Sequence, residues 1–289
     1  KLPVGWRDLG LPAAVDENVA QARRMKVISQ IRSVIGEGGI HAAKGEKTPH
    51  KGISAADQVR MVTALLENNF VPTMDMPEVL ALSRQSNPDA VLGYSARTMD
   101  DVREAIDNGA DLVLTPSLSP EEIALIHKES SLAVFVEVAA DKAKIQDAIV
   151  SGADGVVIKK YTVLLNGPQE ARKAVGEIVE ASPGICFMAA GGINEDTIIK
   201  VLLDKDKNVV PAMSFGGAQT AEDFVALAVQ YKEMIREDLQ LFPGRVTSLV
   251  PSVDGIDQQA EFNVKAAVEK AAALGFLVEG VRWQDMPKA

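Results

Sequence analysis

Short apolar runs recur along most of this chain, and their spacing constrains the fold more than any other feature of the sequence. The runs alternate with segments whose apolar residues are three and four positions apart, as in amphipathic helices. The runs span residues 27–31, 70–76, 90–94, 112–115, 133–138, 155–158, 185–190 and 209–215. Most begin about twenty residues after the previous one, which is the length of one strand, one helix and their short loops. Eight such units in series predict a (β/α)8 barrel.

Helix-start signals follow several of these runs at short distance. Ser54, Thr98 and Thr220 each precede an aspartate by three positions, as in a capping box, and Ser119 precedes a proline and two glutamates. An open, doubly wound sheet is the alternative architecture. The count of eight runs favours the barrel, as does the lack of a Gly-x-Gly-x-x-Gly motif after the first predicted strand.

Composition and net charge limit which kinds of binding partner the chain can have. Aromatic residues make up only 4% of the chain, which fits helices packed on buried parallel strands. The net charge of −10 argues against nucleic acid or an anionic membrane as a partner, but leaves a small anionic substrate open. The single cysteine, Cys186, lies within an apolar run, so no disulfide framework is expected. A chain without disulfides is expected in the reducing cytoplasm. No run approaches the roughly 18 apolar residues of a membrane span, and no signal peptide is evident.

The rhythm divides the chain into a barrel domain, residues 26–240, between an N-terminal extension, residues 1–25, and a C-terminal extension, residues 241–289. Residues 33–53 are expected to form a long loop between the first strand and the first barrel helix, on the face where barrels build active sites. Its basic half, residues 41–51, is either a lid that recruits anions or a solvated mobile loop. Metal binding by His41 and His50 is not favoured, because no third ligand is spaced to join them.

In a barrel, the functional positions are the carboxyl ends of the strands. These candidates are Arg32, Asp75, Ser95, Arg97, Thr115, Ser117, Glu137, Lys159, Lys160, Gly191, Gly192, Ser214, Gly216 and Gly217. Lysine is the most informative of them, since a desolvated amine loses its proton more easily and the neutral amine attacks carbonyls. An ion pair is the alternative role. Neighbouring strand residues face opposite sides, so only one of Lys159 and Lys160 can face the barrel centre, where Asp75 or Glu137 could pair with it or move protons for it.

Two glycine pairs follow the last two predicted strands. Gly191 and Gly192 precede Ile193, and Gly216 and Gly217 follow Phe215. Glycine lets backbone N–H groups approach an anion, and the end of the last two strands is the usual phosphate position of such barrels. The pairs therefore predict a phosphate site, with simple tight turns as the alternative.

From about residue 54 to 218 the chain resembles the family of 2-keto-3-deoxy-6-phosphogluconate and 4-hydroxy-2-oxoglutarate aldolases. The matching blocks are residues 90–95, 108–121, 158–161 with 166–167, and 187–194. The resemblance implies a class I enzyme without a cofactor, on a (β/α)8 barrel, that acts on a pyruvate-type keto acid and assembles as a homo-oligomer, plausibly a trimer. It implies that Lys159 forms the Schiff base and that Gly191, Gly192, Gly216 and Gly217 bind the phosphate end of the substrate. Pro116 and Tyr161 lie in matching blocks and join the substrate-binding candidates.

Several positions depart from the family pattern. Ala96, Ala190 and Ala218 replace two threonines and a serine, and the general-base glutamate is replaced, with Asp75 as its candidate substitute. The carboxylate-binding arginine is missing; Arg32, Arg97 or the lysines of residues 41–51 could supply its charge. Three hypotheses follow: a Schiff-base lyase, a phosphate-binding isomerase or synthase in which Lys159 acts only electrostatically, and a non-catalytic barrel that binds a sugar phosphate.

Overall fold

The computed structural model describes residues 16–42, 48–116, 118–193 and 209–241, and these contain a closed barrel of eight strands. The strands are β1 (Gly36–Ile40), β2 (Phe70–Met74), β3 (Gly93–Ser95), β4 (Leu112–Thr115), β5 (Ala133–Ala139), β6 (Gly155–Lys159), β7 (Cys186–Ile193) and β8 (Val209–Met213). The helices are α1 (Glu17–Ser33), α2 (Ala55–Glu67), α3 (Pro77–Ser86), α4 (Met99–Asp107), α5 (Pro120–Glu129), α6 (Lys142–Val150), α7 (Tyr161–Leu165), α8 (Gln169–Ala181) and α9 (Ala221–Leu241). The predicted (β/α)8 barrel is confirmed.

Every strand pairs in parallel with its neighbours along the chain, and β8 closes the barrel on β1. The first pairing is long and runs in register from Gly36 with Phe70 to Ile40 with Met74. The closing pairing is short, with Glu37 opposite Ala212 and Gly38 opposite Met213. Additional contacts beside this seam therefore matter for closure of the barrel.

Residues 27–31 were expected to be the first strand, and that expectation is wrong. They lie in α1, which begins after Asp16, whose carboxylate accepts hydrogen bonds from the backbone N–H groups of Asn18 and Val19. The buried residues of α1 recur at helical spacing: Ala20, Arg24, Val27, Ile28 and Ile31. A short apolar run fits a buried strand and one face of a helix equally well, and here the neighbouring residues continue the helical pattern.

The first strand is instead β1, a Gly-Glu-Gly-Gly-Ile segment inside the stretch that was expected to be a loop. Its glycines are required by close packing from other elements. A Cβ at Gly38 would lie 2.6 Å from the Leu65 side chain, and one at Gly39 would lie 2.5 Å from the His41 ring. The loop between β1 and α2 is therefore shorter than predicted and begins at His41, and its residues 43–47 lie outside the described part of the chain.

The predicted helix starts are present. Thr98 and Ser119 form reciprocal capping boxes with Asp101 and Glu122, and the Ser54 hydroxyl accepts a hydrogen bond from the Asp57 backbone N–H group. Thr220 and Asp223 exchange the same pair of hydrogen bonds before α9. Each cap satisfies backbone donors that the first helical turn leaves open, which fixes where the chain turns back after a strand.

The inner face of the barrel is defined by alternate strand residues that pack together with α1. This cluster contains Val71, Leu112, Leu114, Ala133, Phe135, Val157, Cys186, Met188 and Val210, with Val27, Ile28 and Ile31 of α1. Gly155 provides room within it, since a Cβ there would lie 2.2 Å from the Phe135 ring. The apolar residues fill the amino-terminal half of the barrel, so polar side chains that face inward lie toward the carboxyl end.

The internal contacts of the chain divide it into residues 1–230, which hold all eight strands, and residues 231–289. The predicted domain boundaries at residues 25 and 240 stay predictions, because residues 1–15 and 242–289 lie outside the described ranges. Among the helices of the described ranges, none combines the length and apolar character needed to cross a membrane.

Candidate active site

Lys159 and Glu137 form an ion pair at the carboxyl end of the barrel. Lys159 is the last residue of β6 and follows the inward-facing Val157 by two positions, and Glu137 follows the inward-facing Phe135 on β5 in the same way. The Lys159 Nζ atom lies 2.6 Å from a carboxylate oxygen of Glu137, with the lysine side chain 46% exposed and the glutamate side chain 25% exposed. The amine is thus paired and open to the mouth of the barrel, rather than deeply desolvated.

The backbone conformation of Lys160 differs from that of Lys159, the last residue of β6. It adopts a left-handed conformation, with φ of 56°, and directly precedes α7. Gly191 on β7 packs against it, because a Cβ at Gly191 would lie 2.7 Å from the Lys160 nitrogen. The Gly191 carbonyl also accepts a hydrogen bond from the Thr162 hydroxyl at 3.0 Å. Gly191 therefore positions the turn that follows Lys159.

Glu37 on β1 is a buried carboxyl group that no sequence motif singled out. Its register partners Val71 and Ala212 lie on the inner face of the barrel, so Glu37 faces inward as well. Glu37 is only 5% exposed. A carboxylate oxygen of Glu37 accepts a hydrogen bond from the Thr73 hydroxyl. Burial raises the pKa of Glu37 to about 7; the hydrogen bond from Thr73 opposes this shift, and the negative charge of Glu137 adds to it.

The sequence around Glu37 carries a signal, but that signal indicates a loop. The residue is the sole charged member of a five-residue segment that is otherwise three glycines and an isoleucine. Glycine is depleted in strands and common in loops, so the segment by itself predicts a loop. The segment can be recognised as a strand only once neighbouring side chains are known to fill the glycine positions.

Asp75 follows β2 and holds the start of the loop after β1. Its Oδ1 atom accepts a hydrogen bond from the Ala42 backbone N–H group at 2.9 Å. Asp75 is half-buried and two positions beyond the inward-facing Thr73, so it lies at the mouth of the barrel on the same side as Glu37. The structure thus brings Asp75 to the same end of the barrel as Lys159.

His50 ties this loop to the end of β8. Its Nδ1 atom accepts a hydrogen bond from the His41 backbone N–H group at 3.1 Å, and its Nε2 atom lies 3.2 Å from the Phe215 carbonyl oxygen, which makes Nε2 the protonated nitrogen. Burial lowers the pKa of His50, and the charge of His41 lowers it further. His50 is therefore a neutral histidine that fastens the loop.

The candidates on β3 and β4 are divided between two faces. Ser95 pairs with the inward-facing Leu114 and so faces the interior, while Arg97 is exposed beyond the strand. Thr115 is fully buried and follows the inward-facing Leu114 by one position, which places it on the outer face of the sheet, and Pro116 is exposed. Of these four candidates, Ser95 alone lies on the inner face.

Arg32 does not lie where the sequence predicts it, and Tyr161 is buried. Arg32 lies in the last turn of α1, not at a strand end, and its guanidinium donates hydrogen bonds to the carbonyl oxygens of Pro183 and Ile185, both at 2.7 Å. These carbonyls precede β7, so Arg32 lies at the opposite end of the barrel from Lys159. Tyr161 is only 1% exposed at the start of α7. The expectation that Arg32 ends a strand at the barrel mouth is wrong.

The two glycine pairs differ in their surroundings. Gly191 and Gly192 are among the last residues of β7, where the pairing with β8 shifts register before Ile193, and residues 194–208 lie outside the described ranges. Gly216 and Gly217 form an exposed turn after β8, and a Cβ at Gly217 would meet nothing within 4 Å. Close packing thus explains Gly191, but no steric constraint explains Gly217.

Two further groups bear on the chemistry. Burial raises the pKa of the Cys186 thiol to about 11, so this cysteine is not ionised near neutral pH and is a poor nucleophile. Among the described residues, no three His, Cys, Asp or Glu side chains are grouped as metal ligands would be. The chemically suitable groups at the barrel mouth are Lys159, Glu137 and Asp75, and Glu37 is buried on the inner face below them.

This chain matches no protein-family profile and no curated protein sequence. Solved structures do resemble it. A cube-shaped protein cage, designed by fusing symmetric oligomeric domains, is 16% identical with a TM-score of 0.58, over 83% of this chain and 86% of that chain.

Two enzymes resemble it at a similar level. The 2-keto-3-deoxy-6-phosphogluconate aldolase of Legionella pneumophila, with pyruvate captured as a covalent carbinolamine, is 16% identical with a TM-score of 0.53, over 72% of this chain and 97% of that chain. A substituted mandelate oxidase is 14% identical with a TM-score of 0.53, over 83% of this chain and 91% of that chain. At these identities the likeness establishes the shared barrel fold and nothing finer.

Proposed function

We propose that this protein is a class I aldolase, a lyase that makes or breaks a carbon–carbon bond beside a 2-keto acid through a Schiff base on Lys159. The observation that carries the proposal is the contact between the Lys159 amine and the Glu137 carboxylate, 2.6 Å apart at the carboxyl end of the barrel. An amine must lose its proton before it attacks a carbonyl, and a carboxylate in contact with it can take that proton. The fold accommodates such chemistry in the Legionella aldolase, which holds pyruvate covalently.

The proposed reaction begins with proton transfer from the Lys159 ammonium to Glu137. The neutral amine attacks the C2 carbonyl of the keto acid, and the resulting carbinolamine loses its hydroxyl as water when Glu137 returns the proton. The iminium then draws in the electron pair of the C3–C4 bond as a base removes the proton from the C4 hydroxyl. An aldehyde leaves and an enamine remains, which is protonated at C3 and hydrolysed to pyruvate and free lysine. Asp75 and Glu137 are the candidates for the base at the C4 hydroxyl.

The substrate is proposed to carry an anionic tail, a phosphate or a carboxylate. The exposed turn at Gly216 and Gly217 supports this, because its backbone N–H groups can approach an anion without obstruction at Gly217. Gly192 on β7 directly precedes Ile193, which pairs with Met213 at the end of β8. Ser95 on the inner face and the exposed Arg97 are proposed to contact the keto-acid end, since the arginine of the resembling family is missing at its own position.

Reductive trapping tests the Schiff base directly. The protein is incubated with pyruvate and sodium borohydride, digested, and analysed by peptide mass spectrometry. Borohydride reduces the iminium to a stable secondary amine, so we expect one pyruvate-derived mass increase on the peptide that contains Lys159. The variant Lys159→Ala should lose the adduct entirely.

Lys160→Ala is the matched control, because it removes the same type of side chain one residue away. It should retain the adduct, since Lys160 lies beyond the strand in a left-handed turn. Lack of an adduct with pyruvate and with other short 2-keto acids would eliminate the Schiff-base proposal, and an adduct that survives Lys159→Ala would assign it to another lysine.

A second candidate function is favoured by Glu37. A buried carboxyl group whose pKa is about 7 is suited to move protons in an isomerase or synthase that needs no covalent intermediate. In that case Lys159 would stabilise a developing negative charge. The same trapping experiment separates the two functions, because an isomerase of this kind gives no borohydride adduct.

A further inference from the structure

Glu37 is a buried titratable group on the inner face of the barrel to which the proposed reaction gives no role. Glu137 is in contact with the amine, and an oxygen of Asp75 binds the Ala42 backbone N–H group, whereas Glu37 is held from the side by the Thr73 hydroxyl. The residue is 5% exposed, and an acidic side chain is rarely buried to this extent without a positively charged neighbour. Its position therefore calls for a functional explanation.

The geometry brings Glu37 toward the group that forms the proposed Schiff base. β1 and β5 are four strands apart in a closed eight-stranded barrel, so Glu37 and Glu137 enter the interior from opposite walls. The two carboxyl groups are near enough that the charge of Glu137 acts on Glu37. A keto acid bound to Lys159 Nζ would have its C2 atom beside Glu137, in the barrel interior that Glu37 also faces.

We propose that Glu37 is the catalytic acid–base group at C3 of the keto acid, an inference that rests on the proposed Schiff base. The Glu37 carboxylate takes a proton from C3 of the iminium, and the C–H electron pair becomes the C2–C3 double bond. The iminium π electrons move to Nζ, which leaves a neutral enamine and a protonated Glu37. In the cleavage direction the same carboxylic acid returns its proton to C3 of the enamine.

The local environment fits both halves of this role. A group that alternately takes and gives a proton works best when its pKa lies near the working pH, and burial holds that of Glu37 at about 7. The Thr73 hydroxyl donates to the carboxylate form, which keeps the group ionisable despite its burial. Thr73 is therefore a positioning residue for Glu37.

Exchange of the pyruvate methyl protons with deuterium measures this step alone. Protein and saturating pyruvate are mixed in D2O, and the loss of the methyl signal is followed by proton NMR. We expect Glu37→Gln to lower the exchange rate by about 100-fold or more, the usual contribution of a general acid–base group. The same variant should still form the borohydride adduct on Lys159, and Glu104→Gln, which neutralises an exposed glutamate on α4, should exchange at the wild-type rate.

The pH profile distinguishes proton transfer from a structural role. The wild-type exchange rate should rise with pH through about 7, as Glu37 loses its proton. Thr73→Val keeps the side-chain shape but removes the hydroxyl that favours the carboxylate, so the midpoint of its profile should move to higher pH. This variant also decides the question if Glu37→Gln does not fold, as judged by its circular dichroism and its cooperative melting.

Each outcome has a definite meaning. Undiminished exchange in Glu37→Gln, an unmoved midpoint in Thr73→Val, or an adduct without exchange in the wild type would overturn the role of Glu37 while leaving the Schiff base in place. Lack of any pyruvate adduct in the wild type would overturn the proposed function and this inference together.

Discussion

At the scale of single residues, burial changes the chemistry of Glu37 more than its identity suggests. A carboxylate loses its hydration on entering the barrel, and one hydrogen bond from Thr73 does not replace it. The neutral acid is therefore favoured, and the pKa rises from its ordinary 4.5 to about 7. The raised pKa suits proton transfer at neutral pH, but it also means that the charged form of Glu37 destabilises the folded protein.

The free energy of unfolding should therefore depend on pH through the titration of Glu37. Between pH 4.5 and 7 the folded state keeps a proton on Glu37 that the unfolded state has lost, so the group's contribution to stability falls as the pH rises. The full loss is about 3 kcal/mol above pH 7, from a shift of about 2.5 pH units. Glu37→Gln cannot titrate at this position, so it does not show this loss. In urea unfolding, the free energy of unfolding of the variant relative to that of the wild type should increase by about this amount from pH 4 to pH 8.

Glu104→Gln serves again as the control and should run parallel to the wild type over the same range. A constant difference between Glu37→Gln and the wild type across these pH values would mean that Glu37 titrates in the folded protein as it does in water.

At the scale of elements, α1 closes the amino-terminal end of the barrel, opposite the candidate site. Asp154, just before β6, is the point where it is attached. Its carboxylate lies 3.5 Å from Arg24 Nε of α1, accepts a hydrogen bond from His127 Nε2 of α5 at 2.8 Å, and accepts another from the Val134 backbone N–H group at 2.9 Å. Ile28 and Ile31 pack into the interior cluster above it. A helix, rather than a first strand, therefore seals the apolar end.

Removing apolar volume from α1 should cost stability without affecting the chemistry. Ile31 is fully buried, so Ile31→Ala should lower the free energy of unfolding by about 2–5 kcal/mol. Met25, 48% exposed on the same helix, is the control, and Met25→Ala should change it by less than about 0.5 kcal/mol. Denaturant unfolding measures both, and folded Ile31→Ala should be trapped by pyruvate and borohydride at the wild-type rate. An equal cost for both variants would contradict the packing of α1 against the barrel.

At the scale of the whole barrel, closure depends on a short seam between β1 and β8. Aromatic packing reinforces it: Phe215 stacks on Phe224 with ring centroids 4.4 Å apart and meets Phe70 edge-on at 6.0 Å. His50 adds a polar link, since it joins the backbone of His41, after β1, to that of Phe215, after β8. The loop that carries His50 is thereby part of the closure.

His50→Gln should weaken the barrel and remove a source of acid sensitivity. Its lost ring packing and imperfect hydrogen bonds should cost about 1–3 kcal/mol at pH 8. Because the pKa of His50 is lowered on folding, its contribution is complete above its ordinary value of 6.5 and is lost as the pH falls below it. Unfolding at pH 5 and pH 8 should thus show a smaller difference between variant and wild type at pH 5. A difference that grows at pH 5 would contradict a buried neutral histidine.

The sequence by itself determined the repeating architecture, because its signals are local. Strands β2 to β8 follow apolar runs, and the helix starts at Thr98 and Ser119 follow from capping residues a few positions apart. Alternation along the strand predicted that only one of Lys159 and Lys160 faces inward, and the family resemblance indicated Lys159, whose amine lies 2.6 Å from Glu137.

Only the tertiary structure decided what depends on distant neighbours. Residues 27–31 fit a strand or a helix until α1 is seen to cover the end of the barrel, and β1 fits a strand because the distant Leu65 side chain fills the space beside Gly38. Arg32 lies at the opposite end from Lys159 for the same reason. Glu37 and Glu137 are one hundred positions apart in the chain, and closure of the barrel buries Glu37 and brings it near Glu137. Burial is the main cause that raises the pKa of Glu37 to about 7, and the charge of Glu137 adds to it.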